Sequence, residues 1–454
     1  MRRSWATITV LLAVVALLGA GTAASSAPQR PLGPDQRLDR LVDRLQATSS
    51  GRPAAATLDN FKFVGHSGLD GFGDYGDLFA HGNFAYVGSR CGEGAQGGDG
   101  VQVVDISNPQ HPQVASTLPN PPFTRAEDVT VRDVHTPSFT GALAVVGIQA
   151  CFGSGHEAEV VPGLRFFDVT HPRHPVLLAH WDLPQGTIGC HEIDAVQRAD
   201  GRVLAVCARN LIDHINTGGA VAIHIVDATD PTAPQAITNW SLNLDPQGGV
   251  GCLPFQFAHS ARFEDHGSSL YVSYWDAGTV HLDITTPTSP VVVSQTRIVP
   301  PDEDGDNHSM TLARGGRWLV INPEDFSPGD CPGEPGLDGW GEAYVYDNSD
   351  PAHPSFLGTF STPDSRSTRS DGSFTDHNTE VTLGDQFFSS WYSDGVVWWT
   401  MNDQGVSRRL GQFVPPGSPP LVWGVFIDST HDLILASDIT SGLWIVRPKG
   451  LTNF

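Results

Sequence analysis

Residues 163–175 read G-L-R-F-F-D-V-T-H-P-R-H-P, and this stretch decides the fold because it recurs. Residues 100–112 read G-V-Q-V-V-D-I-S-N-P-Q-H-P, and residues 278–290 read G-T-V-H-L-D-I-T-T-P-T-S-P. Each copy carries a Gly, a short apolar run, an Asp, a Ser or Thr, and a P-x-x-P. Further copies begin at Ala222, Glu342, Gly395 and Gly442, so there are seven, starting 47 to 64 residues apart. That period accommodates about four short strands with their turns, which is one propeller blade. Two alternating segments precede each copy, such as residues 260–263 and 270–274, and one more strand follows it, such as 291–298. The last copy has almost no chain after it. Residues 61–69 (F-K-F-V-G-H-S-G-L) resemble the missing strand and can close the ring, removing two open sheet edges. The expected fold is all-β: a seven-bladed β-propeller of four-stranded blades, closed by an N-terminal strand and preceded by one short helix.

The motif's own residues read as structural. Proline ends one strand and fixes the turn into the next. The Asp with its Ser or Thr is suited to bonding local backbone N–H groups. It falls at Asp105, Asp168, Asp227, Asp283 and Asp347, and is replaced by Thr400 and Arg447 in the last two copies. A residue repeated in most blades belongs to the frame rather than to catalysis.

The apolar run with its Asp, as in Val103-Val104-Asp105 or Ile225-Val226-Asp227, resembles the LVIVD repeat of bacterial secreted and surface β-propellers. The resemblance covers nearly all of residues 61–448. It implies a propeller and an exported location, and says little about activity.

The rest of the chain agrees with export. Arg2 and Arg3 precede an apolar run over residues 8–18 and small residues up to Ala27, which reads as a signal peptide over residues 1–27. Leu38, Leu41, Val42 and Leu45 lie at helical spacing, so residues 28–60 read as a helix and linker, and residues 61–454 as the propeller. The net charge of −24 disfavours nucleic acid and anionic membranes, and no later stretch reaches membrane-spanning length. The chain is expected to be a monomer. Six cysteines in an exported chain suggest disulfides, and placing them on the blades pairs Cys190 with Cys207, Cys91 with Cys151, and Cys252 with Cys331.

Set against this frame, His191, His259, His308 and His377 fall at matching places at the start of the first strand of four consecutive blades. Glu127 takes that place in the second blade and Trp423 in the seventh, while the first offers only Tyr75 or Asp77 nearby. First strands line the central channel, so the four imidazoles are candidate ligands for a transition metal: iron, copper or zinc. Glu127, Glu192 or Glu380 is a candidate to orient an imidazole from behind. Residues 302–307 (D-E-D-G-D-N) suggest calcium less well, because they miss the EF-hand pattern. Repeat duplication of a strand-locking histidine explains the same pattern without a metal. There is no G-x-S-x-G, P-loop or H-E-x-x-H. The expected role is a secreted ligand-binding or interaction module with an unknown extracellular ligand; the alternative is a metal-dependent oxidoreductase using the four-His ring. A purely structural surface protein fits less well, since no anchor segment is read before Phe454.

Overall fold

The computed structural model describes residues 55–454 apart from 71–72, 93–96, 210, 247, 251–254, 298–304, 327–338, 368, 370 and 418, with residues 37 and 40 besides. The signal peptide, most of the expected helix, the Cys252–Cys331 pairing and half of the acidic 302–307 loop lie outside the described residues.

Seven antiparallel sheets form the ring. Their innermost strands are Tyr75–His81, Val129–His135, Cys190–Gln197, Ala258–Glu264, Asn307–Ala313, Thr379–Val381 and Val422–Asp428. Chain order within the first six blades runs outward from the axis. The repeat supplies the third strand of every blade, for example Gly163–Asp168 or Gly278–Asp283. The seventh blade is completed by the N-terminal strand Phe61–Ser67, which pairs with Gly442–Pro448.

The repeat's chemistry is visible in each turn. The carboxylates of Asp105, Asp168, Asp227, Asp283 and Asp347 each accept the backbone N–H two residues on, at 2.8–2.9 Å. A tight turn follows, with the N–H of His111, His174, Ala233, Ser289 or His353 donating three residues back. The glycine that opens the repeat is required by close approach. Gly278 has φ 86°, and a Cβ there would lie 1.7 Å from the carbonyl oxygen of Thr296 in the outermost strand. Apolar side chains of the two middle strands fill the space between blades, as in the cluster of Leu204, Val206, Ile223, Ile225, Leu270, Val272 and Leu282.

Two features differ from the sequence reading. Residues 57–59, assigned to the linker, form a strand (Thr57–Asp59) on the outer edge of the sixth blade, paired with Ser407–Val414. Its side chains are exposed, so it is held by backbone pairing and leaves no hydrophobic pattern. Asn60, at φ 55°, then turns the chain onto the seventh blade, and its side-chain amide donates to the carbonyl of Leu410. A short helix, Leu211–Asn216, also interrupts the connection to the third strand of the third blade.

Candidate functional site

The histidines face the axis because of a recurring backbone irregularity. The pairing of inner and second strands slips at His191, at His259, at His308, at Trp423 and, in the first blade, between Tyr75 and Leu78. A β-bulge of this kind re-aims one side chain out of the pleat. In the sixth blade His377 lies just before its strand, with its N–H donating to the carbonyl of Ser390.

The four imidazoles form a continuous arc. Ring centroids are 4.2 Å apart from His191 to His259, 4.2 Å from His259 to His308, and 3.9 Å from His308 to His377. None is more than 3% exposed. Burial, followed by the neighbouring imidazoles, holds His259 and His377 well below the ordinary histidine pKa, so both rings are neutral at physiological pH. The backbone is fixed as well: Ser260 Oγ donates to the carbonyl of His308, and Ser309 Oγ to that of His377.

Carboxylates complete the cluster. Glu192 Oε1 lies 3.6 Å from His259 Nδ1 and 3.2 Å from His308 Nε2. Glu324 Oε2 lies 3.9 Å from His308 Nε2, and its Oε1 lies 3.5 Å from His377 Nε2. The Tyr392 hydroxyl donates to Glu324. Two sets of side chains bring ligand atoms within 4.8 Å of one another: His191, Glu192 and His259, and His259, His308 and Glu324.

His191 stands apart from the other three rings. Its Nε2 faces His259 Nε2 at 2.8 Å, which is a hydrogen bond. Its Nδ1 receives Gln149 Nε2 at 3.2 Å and an Arg125 nitrogen at 3.4 Å. Both are donors, so Nδ1 is the acceptor and Nε2 carries the proton that goes to His259. Glu127 is bound by Arg125 at 2.9 Å and Gln149 at 3.3 Å, and lies 3.9 Å from His191. It acts on the imidazole through those two side chains. Glu380 does not join the cluster: three residues beyond His377, it points down the channel toward Arg262 at 3.6 Å. Glu324 and Tyr392 were not anticipated. Their signal is a polar N-P-E-D at the end of the apolar second strand of the fifth blade, and a W-Y-S-D-G turn in the sixth.

Around the arc, Phe257 and Trp275 stack beside His259, and Trp423 and Tyr392 lie against His377. Disulfides join Cys91 to Cys151 across the first two blades, and Cys190 to Cys207 next to His191.

These features define a seven-bladed β-propeller with a buried His/Glu cluster at one end of its channel. The LVIVD repeat model matches residues 72–118, which span the first blade. Among curated proteins none matches the sequence. The fold resembles the crystal structure of a "putative 6-phosphogluconolactonase" from Bacteroides uniformis, with a TM-score of 0.50 and 12% identity over 75% of this chain and 84% of that one. As many as 1249 solved chains are similar, so the likeness speaks for architecture alone.

Proposed function

We propose that this protein is an exported metal-binding propeller that holds a divalent transition-metal ion between His259, His308, His377, Glu192 and Glu324. One observation carries the reading. The imidazole-to-carboxylate spacings in the cluster run from 3.2 to 3.9 Å. Those spacings match the edges of a polyhedron around an ion with bonds of about 2.0–2.2 Å. The 2.8 Å contact of His191 with His259 is a hydrogen bond, which favours His191 as the residue that orients a ligand. Mixed imidazole and carboxylate donors suit zinc, iron or manganese better than a soft cuprous ion. Export is supported by the N-terminal pattern and by two disulfides.

Within this reading the chain's own groups have defined tasks. The neutral imidazole of His377 offers a lone pair, and His191, held by Gln149 and Arg125, orients the His259 ring. A redox enzyme is the second reading, favoured by Tyr392, whose hydroxyl bonds Glu324 and whose ring lies 5.3 Å from His377. Metal analysis of the purified, exported protein tests the proposal, with about one equivalent expected. Less than about a tenth of an equivalent after growth in metal-supplemented medium defeats it.

A further inference from the structure

Glu192 belongs to two neighbourhoods. It touches the histidine arc, and it also lines an axial cavity of about 350 Å³ beneath that arc. The charged lining of this cavity is Asp77, Asp128, Glu192, Asp194 and Glu380 against Arg132 and Arg262. Arg132 is bonded to Asp194 at 2.9 Å, and Arg262 lies 3.6 Å from both Glu380 and Glu264. Asp77 and Asp128 are held by neutral donors instead: the Leu78 N–H and Asn378 amide for the first, the Ile193 N–H for the second.

On the other side of the arc, among the described residues, stand Arg90 and Arg125, both paired with Glu127 at 3.8 and 2.9 Å, with the rings of Phe257, Trp275, Trp423 and Tyr392. Arg132 and Asp194 also line a neighbouring recess that includes the exposed Asp265 and His266.

We propose that the axial cavity is the loading route of the metal site, a cation-selective passage in which Asp77 and Asp128 draw a divalent cation inward and pass it to Glu192. This rests on the metal reading above. An acid-lined cleft with low-dielectric walls raises cation association rates by about 10- to 1,000-fold. The test uses the full exported protein stripped of metal, with Co²⁺ alone as the probe and its visible absorption followed by stopped flow. The Asp77→Asn/Asp128→Asn double variant keeps side-chain shape, and circular dichroism checks its fold. The expected result is an on-rate lowered at least about tenfold, a flatter dependence on ionic strength, and an unchanged final stoichiometry. Asp128→Asn alone is expected to give an intermediate rate. An on-rate within about twofold of wild type in the double variant overturns the route while leaving the metal site standing. Failure of the wild-type protein to bind Co²⁺ overturns both.

Discussion

At the scale of single residues, the cluster separates ligands from supports. His308 is fully buried, with two carboxylates within 4 Å of its Nε2. His308→Ala is expected to abolish metal retention, measured as bound metal after gel filtration. His191 meets the cluster through a hydrogen bond to His259 Nε2. His191→Phe is expected to leave stoichiometry intact and to weaken affinity about 10- to 100-fold, read by chelator competition. Equal losses in the two variants would mean that His191 is a ligand. A different buried group governs stability against pH. Asp394 is pushed up to about 7 by burial, against a hydrogen bond from Thr362. Its folded pKa exceeds the unfolded value, so the native state binds that proton more tightly. Its contribution is therefore greatest at low pH and falls as pH rises from the ordinary carboxylate range to about 7. Asp394→Asn is expected to remove up to about 1.4 kcal/mol per pH unit of slope in that window, measured by urea unfolding at several pH values.

At the scale of elements, the N-terminal strand is the fastening of the ring. Phe61 is 1% exposed and packs edge-on against Phe388 and Trp398 of the sixth blade while its backbone completes the seventh. Phe61→Ala is expected to destabilise by about 3–5 kcal/mol, seen as a lower urea midpoint. A loss below about 1 kcal/mol would mean that the seventh blade holds without this anchor. The repeat and the inner strands divide the labour. Asx turns and P-x-x-P turns set the outer half of each blade, and the bulges of the inner strands aim side chains at the axis.

At the scale of the whole molecule, ring closure makes distant blades share one site: the five proposed ligands come from the third to sixth blades. Because the native ring alone assembles them, saturating metal is expected to raise the thermal midpoint. At a hundredfold excess over Kd the gain is about 2.7 kcal/mol. No shift in differential scanning calorimetry would count against a preformed site. The Cys91–Cys151 bridge spans 60 residues and the Cys190–Cys207 bridge 17, so reduction is expected to lower stability more through the first. Comparing Cys91→Ser/Cys151→Ser with Cys190→Ser/Cys207→Ser checks that order.

The sequence by itself determined the blade count, the closing strand and the histidines' common position, because each is a repeat, and period and alternation are local properties of the chain. It also marked the motif aspartates as turn residues. It did not reveal the exposed strand at 57–59, which is held by backbone pairing alone. Nor could it sort the site. Glu192, Glu324 and Tyr392 meet the histidines only after the blades close around the axis. Whether a ring nitrogen faces a carboxylate or another imidazole depends on bulges and neighbours many residues away. Tertiary structure alone made His191 a partner of His259 and turned Glu380 down the channel toward Arg262.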